Sequence, residues 1–73
     1  MKITSWTANL EVRVKLDEAD LTLDELRAQG AAISMVVAMI ASGEVPDTKP
    51  SMWEFDEAYH RSYDEIRVCY SVR

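Results

Sequence analysis

From Trp6 to Leu16, apolar and polar residues alternate. Trp6, Ala8, Leu10, Val12, Val14 and Leu16 share one side, and Thr7, Asn9, Glu11, Arg13 and Lys15 the other. A period of two predicts a strand with one buried and one wet face. Asp17-Glu18-Ala19-Asp20 ends the alternation as a loop or single turn. The stretch Leu21–Gly43 then takes up a helical period. It opens on Thr22-Leu23-Asp24-Glu25, the spacing of a capping box in which Thr22 accepts from the N–H of residue 25 and Glu25 reaches back. Leu21 and Leu26 have the spacing of a hydrophobic staple. Asp24 and Glu25 put negative charge at the positive end of the helix dipole, and Gly43 stands where a left-handed C-terminal cap is wanted. Together these signals predict a helix over residues 23–42.

That helix is apolar on two sides. At about 100° per residue, Leu23, Leu26, Gly30, Ile33, Val37, Ile40 and Ala41 form one stripe, read as the face turned to the core. Ala28, Ala32, Met35, Val36 and Met39 form the opposite stripe, and from Ala31 to Ala41 Ser34 is the only polar residue. The run is too short for the roughly 20 residues that span a bilayer, so no membrane insertion is expected. The second stripe needs cover from the C-terminal segment, from another copy, or from a different protein. Met35 and Met39 are the candidate contact residues because methionine adapts to irregular partner surfaces. Self-association ranks first, and a homodimer is the expectation.

After Gly43, two prolines in Glu44–Pro50 make a loop. Ser51-Met52-Trp53-Glu54 then offers a second capping box, followed by Met52, Phe55, Tyr59, Tyr63 and Ile66 at helical spacing, with Glu57 and Arg61 as an i,i+4 pair. A helix over 52–63 is predicted. The same residues also read as a strand, since Trp53, Phe55, Tyr59 and Tyr63 are all odd-numbered, but no Gly or Asn-Gly marks a tight hairpin after them. Ile66, Val68, Tyr70 and Val72 alternate with Arg67, Cys69, Ser71 and Arg73, which predicts a terminal strand. The result is a small two-layer α+β domain over residues 1–73. Its order is β-α-α-β, with β-α-β-β as the alternative, and one long central helix packs on a small antiparallel sheet. Two strands alone make a weak sheet, a further reason to expect pairing between copies.

Composition strengthens that expectation. A 73-residue chain buries only about 60% of its unfolded surface, and domains below roughly 80 residues commonly need disulfides, a metal or oligomerisation. One cysteine permits no intrachain disulfide, and no cluster has metal-ligand spacing. The lone cysteine suits a reducing compartment, and MKITSWTANLE has no apolar h-region, so a cytoplasmic protein is expected. Thirteen acidic against eight basic side chains give a net charge of −5, which repels nucleic acid and favours a partner protein with a basic surface. The acids cluster twice. Asp17, Glu18, Asp20 and Asp24 lie before the helix, and Glu54, Asp56 and Glu57 after the proline loop.

Candidate chemistry is sparse. On a helix, His60 would share a side with Asp56 and Asp64, four residues away in each direction, and the three could hold a cation or form a base with its orienting carboxylate. A solvated face with mild charge pairing is the simpler reading. Cys69 and His60 could in principle form a nucleophile pair, but mid-strand Cys69 has no helix N-terminus to lower its pKa. No phosphate loop, dinucleotide fingerprint, zinc-protease or serine-hydrolase motif is present. No catalytic residue, cofactor or metal is assigned, and the expectation is a non-enzyme. Trp53 falls off the apolar stripe of the predicted second helix, where it would serve as an interface anchor.

Leu10-Glu11-Val12-Arg13-Val14-Lys15-Leu16-Asp17-Glu18, then Leu23-Asp24-Glu25-Leu26 and Gly30, resembles the ribbon-helix-helix family of dimeric DNA-binding regulators over roughly residues 10–41. The resemblance implies a strand whose wet face, here Glu11, Arg13 and Lys15, enters the major groove. Glu11 and the acidic balance oppose phosphate binding, so this stands as the alternative function. In size and acidity the chain is also similar to small phage-encoded inhibitors of host defence such as anti-CRISPR proteins, a likeness of composition alone. The leading expectation is an acidic interaction module or inhibitor that occupies a basic or apolar surface of its partner, with Met35, Met39, Trp53 and the two acid clusters as contact residues.

Overall fold

The computed structural model describes residues 1–7, 10–43 and 53–72. Strands β1 (Lys2–Trp6) and β2 (Glu11–Lys15) precede helix α1 (Glu25–Ala41), and strands β3 (Trp53–Ser62) and β4 (Glu65–Val72) follow it. All pairings are antiparallel, in the order β1-β2-β4-β3. The molecule is one helix laid across one face of a four-stranded sheet, with a β-β-α-β-β chain order. The second predicted helix is therefore corrected: residues 53–62 form the edge strand β3. Of its predicted start, Met52 lies outside the described residues.

Sterics and hydrogen bonding explain why the alternation from Trp6 to Leu16 hides two strands. Trp6 pairs with Val12, and the chain turns between them. Because Trp6 stands opposite Val12, with five residues between them, the hairpin preserves the even–odd parity of the apolar positions. Thr7 N–H donates to the Glu11 carbonyl (2.9 Å), Leu10 N–H to the Thr7 carbonyl (3.1 Å), and Glu11 N–H to the Thr7 hydroxyl (3.3 Å). Leu10 takes φ 59°, a left-handed conformation that costs a non-glycine residue about 1–3 kcal/mol. Its carbonyl accepts from Tyr70 N–H at 3.0 Å, which ties the turn to β4.

At the start of α1, Asp24 is the N-cap and accepts from Arg27 N–H at 2.8 Å. The capping box on Thr22 does not form: Thr22 belongs to a single 3₁₀ turn, Asp20–Thr22, and its hydroxyl donates to the Ala19 carbonyl. Asp17 and Asp20 close that turn reciprocally, each accepting from the other's N–H at 3.0 Å. The staple is also absent, since Leu26 is 81% exposed. The far end is as the sequence predicts, with Gly43 at φ 77° beyond the last turn.

The core joins Val12, Val14 and Leu16 to Ile66, Val68 and Tyr70 on the sheet, and to Ala28, Ala32 and Val36 on the helix. This reverses the two helix faces. The stripe carrying Ala28, Ala32 and Val36 lies on the sheet; of the other stripe Leu23, Leu26 and Val37 face water, while Ile33 and Ile40 pack half-buried against the core. Apolarity alone ranks Leu above Ala, but the sheet already supplies the bulk at this contact. Close packing is then met by small residues on the helix, which let its backbone approach. Met35 packs half-buried beside the core, and Met39 is half-buried as well. The protein's own sheet covers the face assigned to another copy.

The unbroken helix through Gly30–Ile33 and the pairing of β2 on both edges differ from a ribbon-helix-helix arrangement. No helix among the described residues is long and apolar enough to cross a membrane.

Two ion pairs at one end of the sheet set an acid limit on stability. Asp20 N–H and the Met1 ammonium hold the Asp17 carboxyl below its ordinary range, and Lys15 with Ser62 does the same for Asp64. A carboxylate with a depressed folded pKa contributes stability that is complete above its unfolded pKa of about 3.9 and is lost as pH falls through the folded value. The melting temperature is therefore expected to hold from pH 7 to about 5 and to fall below about pH 4. Asp64→Asn should flatten that fall in thermal melts followed by circular dichroism.

Candidate functional site

The sheet separates the chain's candidate chemistry. Residues opposite Ile66, Val68 and Tyr70 turn toward the helix, and those opposite Glu65, Arg67 and Cys69 turn to the outer face. His60 is opposite Ile66, on the helix side, with Nδ1 at 3.0 Å from the Gln29 amide nitrogen. Cys69 lies on the outer face, so the two cannot meet. Burial, then the nearby Glu11, Glu57 and Asp56 charges, push the Cys69 thiol above its ordinary value, the opposite of what a nucleophile needs. The His60–Asp56–Asp64 grouping required a helix. On the strand, Asp56 falls at a register shift, while Asp64 sits in the β3–β4 turn, bonded to Lys15 and to the Ser62 hydroxyl. Among the described residues no set of three ligand-type side chains could hold a metal ion, and the surface has no pocket.

Trp53 is not a solitary exposed anchor. It is half-buried, 6.1 Å from Trp6 and 5.4 Å from Tyr70 between ring centroids, and Phe55 meets Tyr70 edge-on at 5.9 Å. These four rings cap the end of the sheet, drawing its two edge strands together over β4.

The outer face is polar and mostly neutralised from within. Arg67, its side chain only 15% exposed, bonds Glu65 two residues back on its own strand (3.0 Å) and Glu11 on the neighbouring β2. Lys15 pairs with Asp64. Of the first predicted acid cluster, Asp17 and Asp20 hold the Met1 ammonium at 3.0 and 2.6 Å and close the 3₁₀ turn, and Asp24 caps α1. Glu18 is exposed. These positions were legible as acidic in the sequence, but their structural employment was not, because it depends on partners brought from distant segments.

The second cluster behaves differently. Glu54, Asp56 and Glu57 are all exposed, and none has an ion-pair partner among the described residues. Among the described residues β3 pairs only with β4, so the three carboxylates line a sheet edge that those residues leave open. Glu54 and Glu57 stand opposite Ser71 and Cys69, and the register shifts between Phe55 and Glu57. A bulge with charge beside it is how sheet edges avoid adding a further strand.

The arrangement defines a class by architecture alone, an α+β domain of one helix on a four-stranded antiparallel sheet. Compared with protein-family models, curated protein sequences and solved structures, the chain finds no match.

Proposed function

We propose that the protein is a non-enzymatic acidic interaction module that docks its β3 edge on a basic surface of a partner protein. The observation that carries this reading is the trio Glu54, Asp56 and Glu57 on an exposed edge strand, without an ion-pair partner among the described residues, whose other acids mostly cap turns or pair with cations. Three carboxylates within four residues resemble the spacing of negative charge along a phosphate backbone, so a groove built to bind nucleic acid is a suitable surface. Binding there would exclude the groove's ligand, the mode of an inhibitor such as a phage counter-defence protein. Attraction of this kind speeds association and selects basic partners.

The test is capture by the immobilised chain from host lysate, then measurement with the purified partner. Glu54→Gln, Asp56→Asn and Glu57→Gln combined should weaken binding at least about tenfold, roughly 1.4 kcal/mol, and wild-type binding should fall with added salt. A partner held equally well by the triple variant would sink the proposal.

The wet face of β2 gives the DNA-binding alternative little to work with. Glu11 and Lys15 are engaged by Arg67 and Asp64, leaving Arg13 as the base of that face without an ion-pair partner among the described residues. Duplex DNA is expected to show no binding tighter than roughly 10⁻⁵ M at physiological salt. Tighter binding in a titration, lost on Arg13→Ala, would favour the regulator.

A further inference from the structure

The outward face of α1 leaves large apolar side chains uncovered among small ones. The line of α1 directly opposite the sheet carries two large residues, Leu26 and Val37, among the small Gly30, Ser34 and Ala41. Leu26 and Val37 stand proud at 81% and 51% exposure. At Gly30 a Cβ would meet nothing within 4 Å, so the glycine is a notch that the protein's own packing does not need. In the middle of a helix such a glycine weakens the element that carries it. An antiparallel pair of these helices, with its two-fold axis beside Ile33 and Ser34, sets Val37 of each against Gly30 of the other and Leu26 against Ala41. A two-fold interface must be self-complementary, and this stripe meets its own image bump to hollow.

Charge and size point the same way. From Ala28 to Gly43 the chain carries no charged side chain, although its net charge is −5. Two strongly acidic molecules can approach there without repulsion, and a basic partner would find nothing to pair with. Association through the β3 edges would instead press Glu54, Asp56 and Glu57 of both copies together. The 17 residues of α1 are about 26 Å long. A specific interface is expected to bury at least about 1,000 Å² in all. We propose that α1 forms a two-fold, antiparallel helix–helix contact between two copies, leaving both acidic edges free.

Sedimentation equilibrium is the test. At about 100 µM the wild-type weight-average mass should approach twice the 8.3 kDa of the chain, with a dissociation constant on the order of 10 µM. Leu26→Glu with Val37→Glu should give a monomer with an unchanged circular dichroism spectrum, because both side chains already lie in water. Gly30→Val fills the notch and should weaken the dimer at least tenfold while leaving the fold intact. Exchanging bump and hollow, Gly30→Val with Val37→Gly, should restore association to within about tenfold of wild type, since the two-fold contact again sets Val against Gly. A wild-type monomer at 1 mM, on the order of 100 times the expected dissociation constant, would overturn the proposal. So would a dimer that survives Leu26→Glu with Val37→Glu, or an exchange that restores nothing. None of these readouts depends on the β3 carboxylates.

Discussion

Ala32→Glu is expected to abolish the fold, whereas Leu26→Glu on the same helix is expected to leave it standing. Ala32 is 0% exposed, wedged between helix and sheet with Ala28 and Val36. A glutamate there adds volume to a close-packed contact, at about 1–3 kcal/mol. It also strands a carboxylate without a partner, and an uncompensated buried charge costs about 3–5 kcal/mol. The sum reaches the whole stability of a domain of this size, roughly 4–11 kcal/mol at the usual 0.05–0.15 kcal/mol per residue. Leu26 loses no buried contact on substitution, and negative charge near the N-terminus of a helix is mildly favourable. Dilute protein, followed by circular dichroism through a urea titration, distinguishes the two. Folded Ala32→Glu alongside unfolded Leu26→Glu would mean that the helix presents its leucine face to the sheet.

Tyr70→Ala is the second substitution expected to cost most of the stability. Tyr70 is buried at the centre of the aromatic cap, touching Trp53 and Phe55, and aromatic-to-alanine changes in cores cost about 3–5 kcal/mol. The loss should exceed that of an ordinary core valine, because Tyr70 is the ring over which the two edge strands meet. Tyr70→Phe gives the contrast. The hydroxyl is fully buried and has no hydrogen-bond partner among the described residues, and burial pushes its pKa up. Removing an unsatisfied buried hydroxyl is expected to be neutral or to stabilise by about 1 kcal/mol. Urea midpoints for the three proteins should rank Tyr70→Phe at or above wild type, and Tyr70→Ala far below both.

Legibility in the sequence followed the range of the interaction. Local signals were readable: the alternation of Ile66, Val68 and Tyr70, the helix from the mid-twenties to the start of the forties, and Gly43 as its terminator. Signals shared by two structures were not. Residues 53–62 carry apolar side chains at both the helical and the strand period, and pairing with β4 decided between them. The β1–β2 hairpin was silent because Trp6 pairs with Val12, a position of the same parity, which keeps the alternation in phase. The helix faces were misassigned because apolarity measures transfer from water and not the room available under a helix. Among the acids, Asp24 reads in the sequence as a charge inside the first turn and Thr22 as the cap, whereas Asp24 is the cap, two residues further on. The roles of Asp17, Asp20 and Asp64 rest on Met1 and Lys15, which only the folded chain brings near.

The chain's two tryptophans lie on opposite edge strands, yet their rings are 6.1 Å apart and tilted by 51°. Indoles so close and so inclined share their excited states, which gives the folded protein an exciton signature that neither ring has alone. The contact joins residues 47 positions apart, so it exists only when β1 and β3 are both docked on the central strands. Opening either edge would erase the signature while the helix signal persists. The protein thus carries an intrinsic optical gauge of sheet closure, readable without any label.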